Sequence, residues 1–450
     1  MSQVRSKPLP LGEAQAPPRV KFFTLGCRLN QAESDAMAED LLAHGIVPVQ
    51  SGEQADVVVI NTCTVTREAT KGSRSAIRRA AKQHPGAKIV VIGCYAVSNP
   101  DEVRAIEDVD VVLTNDDKER FAEMLGASRP TAPLLQIGMR PSARIKSPSR
   151  SIPAASRVRA NLKVQTGCDE FCTFCIIPTT RGPLRTLDEE SLVAEARARV
   201  RAGARELVLT GVHLGKYGYD KGGDETGLIR LLERLLAVQG VLRLRLSSIL
   251  CRHLTDDVLD FMAAEERMCR YLHVPLQSGS DSVLEAMHRP YDAAEFLDRV
   301  ERAKEKVKGL ALATDVIVGF PGESDEDFND TMRVVERVGF SKLHVFRYSP
   351  RPGTPAADRP DAVDPDTKRD RSRRLIDLGN DIRTCFLQAH IGGPLEVLVE
   401  DERTVDGVAV SSGQTSDYVR VWFEAEGLLG RMITVEGLSL RADGLRGRLP

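Results

Sequence analysis

Three cysteines, Cys168, Cys172 and Cys175, restrict what this chain can become more than any other feature. They stand in Gly167-Cys-Asp-Glu-Phe-Cys-Thr-Phe-Cys175, followed by Ile-Ile-Pro178 and Thr-Thr-Arg-Gly182. Residues 163–166 read as a short strand and a helical pattern resumes only near Asp188, which puts the triplet on a loop. Soft thiolates select iron–sulfur clusters or zinc. Three of them on one loop can hold three corners of a cubane and leave the fourth iron open to a substrate. A zinc site and a disulfide with a spare thiol stand as the alternatives. Structural zinc wants four ligands, and no histidine follows Cys175 within 37 residues. A disulfide suits a secreted chain, and nothing here marks secretion.

Three further cysteines fall into a pattern upstream. Residues 20–25, 56–60, 88–92 and 109–114 are short β-branched runs, with helical stretches at 32–44 and 69–83, the second basic on one face. This is a doubly wound α/β pattern. Cys27, Cys63 and Cys94 each follow one of the first three strands, 36 and 31 residues apart. Parallel strands bring their carboxyl ends to one sheet edge, so the fold delivers all three thiols to one place. They read as a second three-thiolate cluster site; small buried strand-end residues are the plainer account of each one singly.

At 450 residues the chain has room for two to four domains, and 42% hydrophobic with 28% charged residues is ordinary for a globular protein. No apolar run nears the roughly 20 residues of a spanning helix, and residues 1–19 are polar and Pro-rich without a signal core. A cytoplasmic protein is expected, with cysteines kept for metal or catalysis. The net charge of −2 gives no sign of nucleic acid, yet residues 124–168 hold eight Lys/Arg and no acid. That run reads equally as a phosphate-attracting arm and as a solvated linker. Residues 131–153 are rich in Pro, Ser and Arg without periodicity and are expected to be a linker.

From Arg157 strand–helix alternation returns with six βα units, expected as an open (β/α)6 barrel with its chemistry at the carboxyl ends of the strands. Polar and small residues gather at those ends: Thr210, Gly211, Ser247, Ser248, Gln277 and Asp315. As a set they suit a pocket for a nucleoside with an amino-acid tail. Ser324 with Asp327 reads as a capping box, and Asp364-Pro365 as the start of a helix over 364–389. Beyond Gly392, runs at 395–400, 408–411, 418–423 and 431–438 predict a small antiparallel barrel of the oligonucleotide-binding sort. Tyr418, Arg420 and Trp422 lie at period two and are expected on one face, where Trp422 suits RNA stacking and core packing equally. Cys251, Cys269 and Cys385 fit no cluster pattern and read as structural.

The central triplet resembles the cluster loop of the radical S-adenosylmethionine (SAM) enzymes, in which an open iron holds SAM and releases a 5′-deoxyadenosyl radical. Phe174 stands where those enzymes carry an aromatic beside the adenine. The wider pattern is similar to the methylthiotransferases. The resemblance covers residues 21–438, and its matching pieces are Thr24-Leu-Gly-Cys-Arg-Leu-Asn-Gln31, Val59-Ile-Asn-Thr-Cys-Thr-Val65, Gly93-Cys-Tyr95, the triplet, His273-Val-Pro-Leu-Gln-Ser-Gly-Ser280 and Arg347-Tyr-Ser-Pro-Arg-Pro-Gly-Thr-Pro355. The resemblance implies an N-terminal methylthiotransferase domain (18–130), a radical SAM core (154–386) and a TRAM domain (387–450). It implies SAM and two four-iron, four-sulfur clusters, one on Cys168, Cys172 and Cys175 and an auxiliary one on Cys27, Cys63 and Cys94. Phe174, Thr210, Gly211, Ser247, Ser248, Gln277 and Asp315 become the SAM-contacting set.

The residues around Cys27 and Cys63 look most like the branch that adds a methylthio group to C2 of N6-threonylcarbamoyladenosine beside the tRNA anticodon (position 37). The implied partners are a tRNA anticodon stem-loop, a flavodoxin- or ferredoxin-type reductant and a sulfur source, with no membrane and a monomeric chain. The alternatives are methylthiolation of isopentenyladenosine in tRNA or of a ribosomal-protein aspartate. A non-enzymatic iron–sulfur RNA-binding sensor is the alternative of another class, though a sensor usually ligates all four irons.

Overall fold

Consecutive β-branched residues, buried on both faces, build the first sheet. The computed structural model describes residues 17–49, 52–125 and 157–450, and the chain divides into two compact units, Met1–Ser156 and Arg157–Pro450. The linker expected at 131–153 and the basic residues from Arg129 to Arg150 lie outside the described residues.

In the first unit β1 (Val20–Thr24), α1 (Arg28–Ala43), β2 (Val57–Thr62), α2 (Arg67–Gln83), β3 (Lys88–Gly93), α3 (Cys94–Ser98), α4 (Pro100–Arg104), β4 (Val111–Val112) and α5 (Phe121–Met124) form a parallel sheet of order β1-β2-β3-β4 with helices around it. A parallel bridge from Val20 to Pro48, with Val49 N donating to Val20 O at 2.8 Å, adds an edge on the outer side of β1. Proline is tolerated there because an edge need not donate to the ladder. The strand order therefore reverses between β1 and β2. The core follows: α1 packs Met37 and Leu41 against Val57 and Val59, while α2 packs Ala76, Ile77 and Ala80 against Val58 and Ile60. Alternate residues of β2 face opposite ways, so the two helices lie on opposite faces.

In the second unit the chain runs β5 (Arg159–Lys163), a ribbon of β6 (Gln165–Thr166) and β7 (Arg185–Thr186) bracketing α6 (Ile177–Arg181), then α7 (Glu189–Arg201), β8 (Glu206–Thr210), α8 (Thr226–Leu236), β9 (Arg243–Leu246), α9 (Asp256–Ala264), β10 (Tyr271–His273), α10 (Asp281–Ala286), α11 (Ala293–Lys306), β11 (Ala311–Val318), α12 (Asp325–Val338), β12 (Lys342–Arg347) and α13 (Pro365–Gln388). β5-β8-β9 and β10-β11-β12 are parallel sheets, and bridges Leu244–Met268 and Ser248–His273 join them into a row of six strands. Leu207, Leu209, Leu244, Leu246, Leu272 and Val274 pack with helix residues such as Leu231 and Phe296 in the main core. The alternate positions put Thr210, His273, Asp315 and His344 on the opposite face. The capping box is present: Ser324 Oγ accepts from Asp327 N at 3.2 Å and Asp327 Oδ2 accepts from Ser324 N at 2.8 Å.

The C-terminal part closes into a barrel of order β13-β14-β15-β17-β16, from β13 (Pro394–Val405), β14 (Val408–Gln414), β15 (Arg420–Glu424), β16 (Met432–Arg441) and β17 (Gly444–Arg448). It has one strand more than its apolar runs announce, because Gly-Leu-Arg-Gly-Arg448 carries no alternation. Tyr418 departs from the period-two pattern. At φ +76° it stands outside β15 and stacks on Tyr271 at 4.7 Å, so only Arg420 and Trp422 share a face.

That stacking belongs to a seam which closes the amino ends of the parallel strands. Arg159, Glu206, Arg243 and Tyr271 are first residues of β5, β8, β9 and β10. Glu206 is fully buried between Arg245 (2.7 Å) and Arg243 (3.0 Å). The two arginines also donate to backbone oxygens of Gln414 (2.9 Å), Thr415 (3.2 Å) and Ser416 (2.9 Å) in the barrel loop. The barrel thus plugs one mouth of the strand row and leaves the carboxyl ends for chemistry.

Candidate active site

Two sets of strand-end thiols are built, one in each unit. In the first, Cys27 caps α1, Cys63 follows β2 and Cys94 opens α3, all at carboxyl ends of adjacent parallel strands. Neighbouring strands lie about 4.8 Å apart, so three consecutive ends span about 10 Å, a width that three donors to one cluster can share. Cys27 and Cys63 flank the gap at which the strand order reverses, where ligands bind in open α/β sheets. The turns are locked together. Asn30 Nδ2 donates to Leu25 O (2.8 Å) and Thr62 O (2.9 Å), Asn61 Nδ2 to Asn30 O (2.9 Å), and Thr62 Oγ1 to Ile92 O (2.7 Å). Gly26, at φ +92°, lies so close to Cys63 that a Cβ on it would come within 2.8 Å of the sulfur. A triplet of thiols on turns this tightly cross-braced, with Cys27 exposed and Cys63 and Cys94 buried, fits a cluster open to one side.

In the second unit Cys168, Cys172 and Cys175 lie on the loop between β6 and α6. Burial, reinforced by its two neighbouring thiols, pushes Cys175 up to about 12, and burial likewise raises Cys168. Free, these groups stay protonated, and it takes a metal to release their protons. A half-buried cation already waits for that charge: Arg289 Nη1 donates to Cys172 Sγ at 3.2 Å. Its guanidinium is held by Tyr291 Oη (2.7 and 3.0 Å), which itself donates to Pro275 O at 2.7 Å. A guanidinium aimed at sulfur fits a thiolate-bound cluster. Replacing Arg289 with methionine is expected to lower the reduction potential of a cluster on this loop by about 50–100 mV, the equivalent of one charged hydrogen bond. An EPR-monitored redox titration checks this; an unchanged potential reduces Arg289 to packing.

The expected SAM contacts fall into two groups. Thr210 and Gly211 end β8 against the triplet loop. Gln165 staples these together: Oε1 accepts from His213 N (2.8 Å), and Nε2 donates to Thr166 O and Gly167 O, both at 2.7 Å. The Thr210 hydroxyl is used internally, donating to Val208 O at 3.2 Å. Ser248 and Asp315 meet through His273, whose Nδ1 lies 2.7 Å from Ser248 Oγ and whose Nε2 lies 3.0 Å from Asp315 Oδ1. His344 stands edge-on to His273 at 5.9 Å. Gln277 joins this group through its backbone, at φ +68°, with N donating to Asp315 O at 2.9 Å. Ser247 Oγ is buried without a partner among the described residues. Phe174 packs beside Met287, Phe320 and Tyr348, while its neighbour Phe171 is 65% exposed at φ +46°.

The fold returns His213 so that its ring, Cys168 and Asp169 offer ligand atoms within 4.8 Å of one another. Burial and the nearby His253 hold His213 down at about 4, so it is neutral. Gln165, Arg289 and His344 were not legible in the sequence: each is a single polar residue in an apolar or aperiodic stretch. Of the remaining cysteines, which read as structural, Cys251 and Cys269 are buried and Cys385 is exposed on α13.

A thiol triplet on the loop after β5 and β6 of a parallel α/β unit, preceded by a second α/β unit with its own triplet, defines a two-part radical SAM protein. Residues 162–335 match the Radical SAM superfamily and residues 19–114 match Uncharacterized protein family UPF0004. The chain is 39% identical over 93% of both chains to "Threonylcarbamoyladenosine tRNA methylthiotransferase MtaB" of Bacillus subtilis. It is 34% identical to the protein of that name in Thermotoga maritima, over 96% of this chain and 99% of that one. To a "tRNA-2-methylthio-N(6)-dimethylallyladenosine synthase" of Frankia casuarinae it is 38% identical, over 90% of this chain and 75% of the other. The chain belongs to the radical SAM methylthiotransferase family. In fold it is similar to the radical SAM methyltransferase TsrM of Kitasatospora setae, with a TM-score of 0.54 at 14% identity over 75% of each chain. Among the described residues, no helix is long and apolar enough to cross a membrane.

Proposed function

We propose that the protein transfers a methylthio group to C2 of N6-threonylcarbamoyladenosine beside the anticodon of cytoplasmic tRNA. The observation that carries this is the pair of cysteine triplets, in a chain similar over nearly its whole length to relatives bearing that activity in their names. The adenine C2–H bond is strong and not acidic, so no side chain is asked to remove a proton there. When bound, two four-iron clusters and SAM supply a radical for that bond and the sulfur that replaces hydrogen.

The protein's contribution is placement. Cys168, Cys172 and Cys175 hold one cluster, and Cys27, Cys63 and Cys94 the auxiliary one. Arg289 balances thiolate charge, and Gln165 fixes the triplet loop against Thr210 and Gly211. The carboxyl ends of the six parallel strands, read as an open (β/α)6 barrel, hold SAM with Phe174, Ser247, Ser248, Gln277 and Asp315 as the contact set. The barrel seam at Glu206 and Arg245 keeps water out from the opposite mouth. The C-terminal barrel, read as a TRAM domain, offers RNA the arginines Arg403, Arg420 and Arg441, all within 4.2–4.6 Å of the Trp422 ring.

Mass spectrometry of tRNA nucleosides from a deletion strain tests the substrate. Loss of the methylthio form with build-up of threonylcarbamoyladenosine is expected. Loss of the methylthio form of isopentenyladenosine instead, or unchanged tRNA with an unmodified ribosomal aspartate, would overturn it.

A further inference from the structure

We infer that the outer face of α2 is a docking surface for the phosphate backbone of the RNA substrate. This rests on the tRNA reading above and extends it to the N-terminal unit. Arg67, Lys71, Arg74, Arg78, Arg79 and Lys82 lie on this one helix beside a single carboxylate, Glu68, in a chain whose net charge is −2. At 3.6 residues per turn, Arg67, Lys71, Arg78 and Lys82 fall within about 60° of the helix circumference and extend about 22 Å along it. The buried residues Ser73, Ala76, Ile77 and Ala80 occupy the opposite side.

Helix stability does not account for this stripe. Arg67 and Lys71 stand near the positive end of the helix dipole, and Arg67/Lys71, Arg74/Arg78 and Arg78/Lys82 are like-charged i,i+4 pairs. Neither does local charge pairing. Arg74 meets Glu102, but Arg67, Lys71, Arg78, Arg79 and Lys82 have no carboxylate partner among the described residues. A shallow groove runs along Lys71, Arg74, Arg78, Arg79 and Lys82. None of the exposed large hydrophobic residues lies on α2. A protein partner would want such an anchor, whereas a phosphate chain does not.

The stripe also starts at the site. α2 begins four residues after Cys63, and Ser73 ties the two together, its Oγ donating to Cys63 O at 2.9 Å and accepting from Cys63 N at 3.2 Å. A strand of RNA lying along α2 is thereby led to the turn that carries the auxiliary thiols.

The test is binding of an anticodon stem-loop to the reconstituted full-length protein between about 50 and 200 mM salt, for wild type and for Lys71→Ala/Arg78→Ala/Lys82→Ala. The triple variant is expected to bind about tenfold or more weakly at low salt. Its plot of log affinity against log salt should be shallower by about 2, for three lost phosphate contacts. The loss should be the same for stem-loops of different sequence, since phosphate contacts carry no sequence information. Iron content and RNA-independent SAM cleavage should not change. Single variants, each expected to flatten the slope by about 0.7–0.9, serve if the triple one misfolds. Equal affinity and slope in wild type and variant overturns the inference. So does unaltered RNA binding with slower reduction by an acidic reductant protein, which would assign the face to that partner. If wild type itself binds no stem-loop, the tRNA reading falls first and the inference with it.

Discussion

Cys63→Ala is expected to keep SAM cleavage and lose methylthio transfer by at least about 100-fold, whereas Cys175→Ala loses both. The two thiols sit in separate units, each braced by its own network. Cys63 is held through Asn30, Thr62 and Ser73, and the Cys175 loop through Gln165 and Arg289. Removing a metal ligand costs more than the 10–100-fold typical of an outer-shell partner. The bracing of the Cys175 loop by Gln165 and Arg289 comes from its own unit, so damage at Cys63 is expected to stay local. Liquid chromatography with mass spectrometry, following 5′-deoxyadenosine and the modified nucleoside in one anaerobic reaction, separates the two activities. Parallel loss of both in Cys63→Ala would contradict the division of labour.

The largest stability effect is expected at Glu206. Burial alone would push this carboxyl up, but Arg245 and Arg243 overcome burial and hold it down at about 2. Glu206→Ala leaves two buried guanidinium groups without their counter-charge, a change that costs about 3–5 kcal/mol. At roughly 2–4 °C per kcal/mol for a domain of this size, the second unit should melt about 10 °C lower. Because the folded carboxyl titrates below its ordinary 4.5, its contribution is present above that pH and is lost as pH falls toward 2. Calorimetry at neutral pH and in acid checks both statements. A shift under 1 °C, or acid sensitivity unchanged in the variant, would show that the seam is not held by this charge. Replacing all three partners by apolar residues of similar volume should restore much of the loss.

The sulfur chemistry was legible because its signals are local. A triplet within eight residues needs no tertiary knowledge, and a cysteine directly after a β-branched run declares its own sheet edge. Strand–helix alternation and the caps at Ser324 and Asp364 were legible for the same reason. What the sequence hid is long-range. The edge at Pro48 is a single bridge in a proline-containing segment, yet it puts the order reversal between the cysteine-bearing strands β1 and β2. Tyr418 alternates with Arg420 and Trp422 along the chain, but its positive φ breaks the period. Arg289 reaches Cys172 from 117 residues away, and His213 comes back beside Cys168 through the end of β8. The arginines of the seam read as ordinary strand charges until the barrel loop packs over them.

Iron content is the most direct measurement of the central claim. After anaerobic reconstitution and desalting, the wild-type chain should hold about eight irons, two clusters' worth. The Cys27→Ala/Cys63→Ala/Cys94→Ala variant and the Cys168→Ala/Cys172→Ala/Cys175→Ala variant should each hold about four, and the first of these should still cleave SAM. About four irons in wild type, or loss of all iron from either variant, would contradict two independent cluster sites.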